Sequence, residues 1–510
     1  MMKKIFPTLV LATGILCLSH FNEVADAARK DKVTMAMAGE PSTFDPHLLT
    51  SPPVAMTHAL VFDTLLFYDY QGKIIPNVAK SYRRAGPKIW EFKLHKGIKF
   101  TNGEPLDGNA VKFSIERILD RTLKSRQFNY FRPVKTVEVI GTHTVRIHMK
   151  SPDSFLIAAL GQLGHIVPPK YYSSHDRKFL ARNPVGSGPY KLAKWKKGSE
   201  LVFKANPNYW NRSVRVVKTG VIKIIPEPTT RVAALVSGAV DMINSVSPQF
   251  LPMVKGNSNT EIVSGESPYT CYINLTIKKG TPWSDVRVRK AINYALDKEL
   301  IIKNVLSNLA KIIPTNLSAR SYGFNPNLKP FPYNIKKAKK LLAEAGYPNG
   351  FEAVMYVPRG RYLLGKETAE AIAGELAKIG LKIQVRSPTW GTFTKIAKSR
   401  WKPRGVPYWW YGCRMDAYMH AAGMYAGAIH SRSTWGGFHD KSVDKLIEGA
   451  RAEPDAKKRE LKYWEVARVL REEKVPLVFL WTIDQINAKK KSLKWKMRPN
   501  ARMWLFDAAW

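Results

Sequence analysis

Short stretches in which apolar and charged residues alternate recur along the chain. In the sequence IWEFKL at 89–94, Trp90, Phe92 and Leu94 alternate with charged residues, a pattern typical of a half-buried strand. The same period of two predicts further strands at 144–149, 200–203 and 381–385. Strands are therefore expected in both halves of the chain.

Other stretches carry apolar residues three and four positions apart. Val111, Ile115 and Ile118 would share one face of a helix at 110–119, as amphipathic helices require. The same spacing predicts helices at 286–300, 335–345 and 367–379, the second capped by Asn334 and ended by Gly346 and the third closed by Gly380. Because strands and helices interleave throughout, the predicted fold class is α/β.

The first 27 residues have the plan of a secretory signal peptide. Lys3 and Lys4 precede an apolar run at 5–18, and Ala25-Asp26-Ala27 offers small residues for cleavage. A membrane anchor would need about 20 apolar residues, and lipid attachment at Cys17 would follow a bulky Leu16. We therefore expect an exported, soluble, periplasmic protein that begins at Ala28.

Composition and charge narrow the class of protein. The chain has 510 residues, is 45% hydrophobic and carries a net charge of +41. That length suggests roughly three domain-sized units. The basic residues are spread along the sequence and form no single stripe, so we interpret most of them as solvated faces and expect no nucleic-acid partner. Attraction to an anionic envelope surface or to an anionic ligand is the open alternative.

The sequence PYWWYGCRMDAY at 407–418 concentrates aromatic residues beside two charges. Trp410 and Tyr411 would supply area, and Arg414 and Asp416 would set orientation, as in a concave ligand site. The alternative is a core loop whose hydroxyl and indole groups are satisfied locally.

Common catalytic motifs are absent from the sequence. No GxSxG, HExxH, P-loop or GxGxxG pattern occurs, and GSGPY at 186–190 is interpreted as a turn because Pro189 lacks an amide donor. His430 and His439 match no standard metal spacing. We therefore expect no enzyme activity, no bound metal and no cofactor.

Several blocks together resemble one family, the family 5 solute-binding proteins of bacterial ABC importers, which include peptide-, oligopeptide- and nickel-binding members. The blocks keep the family's order over almost the whole mature chain. They are IWEFKLHKGIKF at 89–100, NGEPL at 102–106, AVKFSIER at 110–117, GSGPY at 186–190 with NPNYW at 206–210, the segment 231–241, DVRVRKAIN at 285–293 and the segment 338–348.

The resemblance implies a two-lobed periplasmic binding protein fold. The discontinuous first lobe would comprise 28–270 and 483–510, with an extra family-specific subdomain at 49–172. The second lobe would comprise 274–482. Hinge crossings would lie near 271–274 and 482–486, and PYWWYGCRMDAY would face the cleft between the lobes.

The resemblance also implies site residues. In the dipeptide-binding members an aspartate after Trp-x-Gly binds the ligand's amino terminus, and an arginine ahead of a helix binds its carboxylate. Here Arg359 takes the arginine position, whereas Trp410-Tyr411-Gly412 is followed by Cys413. The predicted binding residues are Thr43, Phe44, Arg359, Trp410, Tyr411, Gly412, Cys413, Arg414, Asp416 and Trp435.

Removal of the leader leaves Cys271 and Cys413 as the remaining cysteines. Some oligopeptide-binding relatives have a disulfide that joins these two regions, so the resemblance implies a Cys271–Cys413 bridge in an oxidising compartment. Two independent buried thiols are the alternative.

The functional hypothesis is a monomeric ABC-importer receptor that captures a peptide or peptide-like solute and delivers it to a permease at the inner membrane. The expected ligand carries an anionic group held by Arg359, aided by Arg414, and does not depend on a free α-amino group unless Asp416 replaces the missing aspartate. The alternatives are a non-peptide solute, such as an opine, a sugar phosphate, nickel or haem, and, more remotely, an exported hydrolase.

Overall fold

A computed structural model describes residues 31–398, 407–416, 419–431 and 438–510. The predicted signal peptide and Trp435 lie outside these ranges. Within them strands and helices interleave, which confirms the α/β class. Among the helices of the described ranges, none combines the length and the apolar character needed to cross a membrane.

The elements are numbered in chain order. The strands are β1 (Lys32–Met37), β2 (Leu66–Tyr68), β3 (Ile74–Pro76), β4 (Ala79–Gly86), β5 (Ile89–Leu94), β6 (Val134–Gly141), β7 (Thr144–Met149), β8 (Tyr190–Lys196), β9 (Glu200–Ala205), β10 (Thr219–Ile224), β11 (Met242–Ile243), β12 (Thr260–Leu275), β13 (Ala310–Ile312), β14 (Glu352–Tyr356), β15 (Lys382–Arg386), β16 (Tyr408–Met415) and β17 (Leu477–Lys490). The helices are α1 (Pro52–Val61), α2 (Gly108–Leu119), α3 (Phe128–Phe131), α4 (Phe155–Leu160), α5 (Pro169–Ser174), α6 (Arg177–Leu180), α7 (Pro228–Val236), α8 (Leu251–Lys255), α9 (Val286–Ala295), α10 (Lys298–Asn304), α11 (Ile335–Glu344), α12 (Gly365–Ala377), α13 (Trp390–Lys398), α14 (Ala421–Ala428), α15 (Lys441–Ala452) and α16 (Ala456–Arg468).

The largest sheet of the described chain contains eleven strands. Ten follow the order β15-β14-β16-β12-β17-β11-β1-β10-β9-β8, and β13 pairs with β17. β1 runs parallel to both β10 and β11, whereas β12 is antiparallel to both β16 and β17. The two long strands β12 and β17 therefore connect a half-sheet built around β1 to a half-sheet built around β14.

The ladder between β12 and β17 is interrupted near its middle. Pairing runs from Thr260 opposite Lys490 to Asn274 opposite Leu477, with a shift of register between Glu266 and Thr270. Pro268 lies inside the interruption, where its missing amide N–H cannot add a ladder hydrogen bond. The interruption coincides with the passage from one half-sheet to the other.

A separate four-stranded sheet has the order β4-β5-β7-β6. The predicted strand 89–94 is β5, and the predicted helix 110–119 lies within α2 (Gly108–Leu119). Val111, Ile115 and Ile118 are buried, which confirms the apolar face read from their spacing. Asp107 caps this helix by accepting hydrogen bonds from the backbone N–H groups of Asn109 and Ala110.

One predicted helix is two helices in the structure. The apolar spacing predicted a single helix at 286–300, but α9 ends at Ala295 and α10 begins at Lys298. Asp297 accepts a hydrogen bond from the backbone N–H of Leu300 at 2.9 Å, so it acts as an N-cap that starts the second helix. By contrast, Asn334 caps α11 as predicted, accepting from Lys337 N–H at 2.9 Å.

The segment 153–155 contacts the region around α14 and α15. Arg451 binds the carboxylate of Asp153 at 2.7 Å, and its backbone oxygen accepts from the Ser154 hydroxyl at 2.8 Å. The ring of Phe155 lies 5.4 Å from that of His420. We call these residues, Asp153, Ser154, Phe155, His420 and Arg451, the bridging contact.

Candidate ligand-binding site

Two adjoining cavities form a cleft beside the interrupted ladder. The aromatic cavity has a volume of about 360 Å³ and the polar cavity about 510 Å³. The aromatic cavity includes Tyr272, Trp390, Phe393 and Trp410. The polar cavity is also lined by uncharged polar residues beside the half-sheet built around β1, namely Ser245, Ser247, Gln249, Gln485 and Asn487. The residues that line both are Tyr269, Arg361, Tyr362, Cys413, Met415 and Arg502.

β16 presents the predicted aromatic sequence to the cleft and to the core in alternation. Trp410 lines the aromatic cavity, whereas Trp409 and Tyr411 are fully buried. The Trp409 ring stacks on Trp283 with a centroid distance of 4.6 Å. Because successive strand residues face opposite sides, Tyr411 contributes to the core behind the cleft and Trp410 to its surface.

Gly412 lets the Trp410 ring lie back over the strand. A Cβ atom at residue 412 would come within 2.5 Å of the Trp410 ring and 3.4 Å of the Tyr362 hydroxyl. A side chain there would displace the indole. Gly412 therefore acts through Trp410, and it is not among the residues that line either cavity.

An aromatic array lines one wall of the aromatic cavity. Trp390 stacks on Phe393 at 5.5 Å, Phe393 meets Trp410 edge-to-face at 5.8 Å, and Trp410 lies 6.2 Å from Tyr272. The guanidinium of Arg361 lies over the Trp390 ring at 4.8 Å, within cation–π range. The positively charged guanidinium of Arg361 therefore lies at the Trp390 end of the aromatic array.

The structure places the predicted anion-binding residue Arg359 outside the cleft and its neighbour Arg361 inside it. Arg359 lines a different depression together with Pro358, Lys366, Glu367 and Ser387. Its backbone N–H donates to Pro388 O at 2.9 Å. Arg361 lines both cavities of the cleft. Sequence reasoning missed Arg361, although it lies only two residues further along the same loop.

Arg414 and Asp416, two of the predicted binding residues, both line the aromatic cavity. Arg414 donates to the backbone oxygen of Gly427 at 3.3 Å. Asp416 is only 1% exposed, and it accepts from the Ser321 hydroxyl at 2.7 Å. The Asp416 carboxylate is therefore already engaged by the protein.

Residues of the opposite half complete the cleft. Arg126 and Tyr130 line the aromatic cavity together with residues 49–51. Arg502, in the segment that follows β17, lines both cavities and is only 3% exposed. No motif marked Arg126 or Arg502, because each reaches the cleft through tertiary packing of a segment remote from β16.

Asp484 is the other acidic residue that lines the described cleft. It lies on β17 in the wall of the polar cavity, and burial raises the pKa of its carboxyl. Arg231 lines the same cavity, but its guanidinium donates to the backbone oxygens of Ile225, Pro226, Asn244 and Ser245. Arg231 therefore supports loops and is not directed at a ligand.

Thr43 and Phe44 lie in the core of the β1 half. Thr43 accepts from the backbone N–H of Asp45 at 3.0 Å. Phe44 is fully buried and its ring meets that of Trp195 edge-to-face at 5.4 Å. Neither residue lines the aromatic or the polar cavity, so the structure gives them a packing environment.

The structure contains the Cys271–Cys413 disulfide. The two residues lie directly opposite each other on β12 and β16, with 4.0 Å between their Cα atoms. Cys413 lines both cavities. The bridge therefore fixes the wall of the cleft to the long strand that passes through the interruption.

Candidate metal ligands are sparse where the chain is described. No group of three or more His, Cys, Asp or Glu side chains is arranged to hold a metal ion in the described ranges. His430 contacts Asp444 at 3.4 Å and Glu448 at 3.2 Å and lines neither cavity of the cleft.

The fold and the cleft define a two-lobed binding protein, and comparison with known proteins gives its family. Residues 73–427 match the model of the bacterial extracellular solute-binding proteins, family 5 Middle. The chain therefore belongs to the family 5 bacterial extracellular solute-binding proteins.

The similarity to individual relatives extends over nearly the whole chain. Heme-binding protein A of Haemophilus influenzae is 27% identical over 488 residues, covering 88% of each protein. Di/tripeptide-binding protein 3 of Pseudomonas aeruginosa is 25% identical over 507 residues, covering 93% of each. The structure of the PBP AgaA from A. tumefaciens R10 in complex with agropinic acid is 27% identical with a TM-score of 0.77, covering 93% of this chain and 96% of that one.

Proposed function

We propose that this solute-binding component of an ABC importer captures a peptide or peptide-like solute with an anionic group, and that Arg361 holds that group. The observation that carries the proposal is the position of Arg361, which lines both cavities and lies over Trp390 at the end of the aromatic array. A guanidinium can bind a carboxylate through two parallel hydrogen bonds. Arg361 thus takes the role that the sequence assigned to Arg359.

The walls of the cleft suit an extended peptide. The aromatic array supplies area for side chains, while the polar cavity offers hydroxyl and amide groups such as Ser245, Ser247 and Gln249. Main-chain hydrogen bonds to an extended peptide give affinity while tolerating many side chains. Di/tripeptide-binding protein 3 supports this assignment by its name.

Lobe closure is part of the proposal. The first lobe would comprise 28–270 and 483–510, with the extra subdomain at 49–172, and the second lobe 274–482. The hinge would lie at the crossings near 271–274 and 482–486, beside the interruption between Glu266 and Thr270. The mature protein would be periplasmic and monomeric, without catalysis of its own, and would deliver the solute to a permease.

The anion anchor can be tested with three forms of one peptide. Calorimetry would compare trialanine with its C-terminal amide and its N-acetyl form. Removing the carboxylate should weaken binding ten- to a hundredfold, the range expected when a charged hydrogen bond of about 1.5–3 kcal/mol is lost. Acetylation should have little effect, because Asp416 is engaged by Ser321.

The matched variants are Arg361→Ala and Arg359→Ala. Each removes one exposed arginine from the same loop, but only Arg361 lines the cleft. Binding of trialanine should fall in the Arg361 variant and persist in the Arg359 variant. The opposite result would return the role to Arg359. A strong preference for the free amine that Asp416→Asn abolishes would show that Asp416 binds the amino terminus.

A non-peptide acid is the second candidate, because AgaA is described in complex with agropinic acid. Native mass spectrometry of the protein as purified separates the candidates by the mass of any retained ligand. Incubation with the same peptides followed by mass spectrometry also tests the absence of catalysis, since an exported hydrolase would release shorter products.

A further inference from the structure

A third cavity, of about 410 Å³, lies apart from the cleft and wholly within the proposed first lobe. Its walls come from α1, from residues between 62 and 77, from 161–165, from Pro189, from 209–215 and from the C-terminal segment at 498–507. We call it the distal cavity. Of the described residues, none lines both the distal cavity and a cavity of the cleft. Its volume falls in the range of small-molecule sites, about 300–1,000 Å³.

Three aromatic rings in mutual contact form one wall of the distal cavity. Trp504 stacks on Phe506 with a centroid distance of 5.2 Å. The ring of Phe67, on β2, lies 5.2 Å from that of Trp504 and 6.3 Å from that of Phe506. Phe67 and Phe506 are only half-buried. The wall therefore offers an aromatic surface that the protein itself covers only in part, and a further ring can pack on such a surface.

The arginine in this wall is neutralised by the protein. Arg498 donates two hydrogen bonds to the carboxylate of Asp507, both at 2.7 Å, and one to the backbone oxygen of Tyr68 at 2.9 Å. Its guanidinium also lies 4.0 Å from the ring centroid of Tyr70. A bidentate pair of this kind uses both carboxylate oxygens. Arg215, the other arginine of the described lining, is exposed to solvent.

The remaining carboxylates of the described lining are also engaged. Asp63 accepts hydrogen bonds from Ser187 at 2.9 Å, Tyr209 at 3.2 Å and Trp210 at 3.0 Å. Asp69 accepts two backbone N–H groups of its own turn, at 2.9 and 2.8 Å. The cavity therefore presents no buried charge that needs a counter-ion from a ligand.

Two uncharged groups of the lining do lack hydrogen-bond partners. Gln162 Nε2 and His165 Nδ1 are buried and have no partner among the described residues. His165 is only 6% exposed, and burial holds the pKa of its ring well below the ordinary value, so the ring is neutral. The hydrogen-bonding capacity left in the distal cavity thus belongs to neutral groups.

We propose that the distal cavity is a second binding site, which takes an uncharged planar aromatic compound against the wall formed by Phe67, Trp504 and Phe506. A charged compound would lose its water on entry and meet no unpaired counter-charge. Binding joins the C-terminal segment, which carries Trp504 and Phe506, to β2, which carries Phe67, and stabilises the folded protein by mass action. The site does not depend on the peptide assignment of the cleft.

The ligand class is tested by calorimetry at pH 7 with four probes of similar size. 2-Naphthol is planar and uncharged. 2-Naphthoate and 2-naphthylmethylammonium are planar and carry one charge of either sign, and 2-decalol is uncharged with puckered, saturated rings. We expect 2-naphthol to bind about tenfold more tightly than either charged probe and severalfold more tightly than 2-decalol. Absence of 2-naphthol binding, or equal or tighter binding of another probe, would overturn the inference.

The location is tested by filling the cavity. Ala59, on α1, is half-buried and lines the distal cavity. Ala59→Met should weaken 2-naphthol binding about tenfold, whereas Ala343→Met, at an exposed position of α11, should leave it unchanged. Trp390→Leu removes a ring from the aromatic array of the cleft and should also leave it unchanged. Binding that is lost in Trp390→Leu and kept in Ala59→Met would assign the probe to the cleft and overturn the inference.

The role of the aromatic wall is tested with a substitution that keeps an apolar side chain. Phe506→Leu removes one ring and should reduce the preference for 2-naphthol over 2-decalol severalfold. Phe179→Leu is the matched control, because Phe179 is 41% exposed and lies outside the distal cavity. An unchanged preference in Phe506→Leu, or an unchanged affinity in Ala59→Met, would overturn the inference while leaving the proposed function intact.

Discussion

Buried histidines in both proposed lobes are held in their neutral form. Burial lowers the pKa of His47 and of His58 to about 4. Burial, with Arg459 and Arg451 nearby, lowers that of His420 to about 3. His420 also accepts the backbone N–H of Ala422 through Nδ1 at 3.1 Å, a hydrogen bond that the neutral ring alone can accept.

These histidines should make the protein less stable in mild acid. Each unfolded histidine gains a proton near its ordinary pKa of about 6.5, whereas the folded one does so only near pH 3–4. The stabilising contribution is therefore complete above pH 6.5 and is lost as the pH falls toward 4. Each histidine should add a slope of up to about 1.4 kcal/mol per pH unit to the free energy of unfolding.

The test is urea denaturation between pH 7.5 and 5 on the wild type and on His420→Asn. Asparagine can still accept from the Ala422 N–H as an N-cap but does not titrate. The variant should show a shallower slope between pH 6.5 and 5, whatever its absolute stability. If the unfolding free energy of the variant has the same pH slope as that of the wild type, His420 takes up its proton as readily in the folded protein as in the unfolded chain.

At the residue scale, the sequence was informative where one strand brings its own neighbours together. Trp410, Arg414 and Asp416 lie within seven positions and all line the aromatic cavity. The strand period also decides which aromatic residue faces inward, which is why Tyr411 is core. Arg361 and Arg502 could not be derived in this way, because loop conformation and the return of a distant segment place them.

The disulfide between β12 and β16 is a stability element as well as part of the cleft. It closes a loop of 142 residues, for which the chain-entropy model gives about 5 kcal/mol. The two strands also pair along their backbones. Pairing that persists in the unfolded chain should make the measured loss of unfolding free energy smaller than this value. We expect the Cys271→Ser/Cys413→Ser variant to lose about 2–5 kcal/mol of unfolding free energy.

Chemical denaturation with and without reductant measures this loss. Reductant should destabilise the wild type and leave the double serine variant unchanged. Equal stability of wild type and variant under oxidising conditions would contradict a bridge in the folded protein.

At the element scale, the amphipathic helices and the strands could be predicted from the spacing of their apolar residues. The positions at which a strand or a helix is interrupted could not. The sequence GESPYT at 265–270 has a glycine and a proline in a short space, and no alternation marks a strand there. Nevertheless β12 continues through it, because β17 pairs with both flanks and the bulge absorbs Pro268. Likewise, the apolar face is continuous over 286–300, but the N-cap at Asp297 starts a new helix within it.

The bridging contact should favour the closed arrangement of the whole molecule. It joins Asp153, assigned to the first lobe, to Arg451, assigned to the second, and Asp153 is only 4% exposed. Breaking a buried pair leaves an uncompensated charge. We expect Arg451→Gln to weaken peptide binding severalfold and to increase the radius of gyration of the liganded protein.

Small-angle scattering and calorimetry on the same samples measure both effects. Arg468→Gln is the control, because Arg468 pairs with the exposed Glu465 on α16. Unchanged compactness and affinity in the Arg451 variant would show that the contact does not bias the equilibrium between open and closed forms.

The return of the chain through β17 has a consequence for the order of events during synthesis. β17 lies between β11 and β12 in the main sheet. Beyond it, Leu493, Trp495, Met503, Trp504 and Leu505 are buried in the same cluster as residues of β1 and β10. The cluster around β1 therefore begins near residue 33 yet cannot be completed until residues beyond 500 have left the ribosome. The nascent chain stays without that core while the residues between β12 and β17 are synthesised, an interval in which it cannot yet fold around β1.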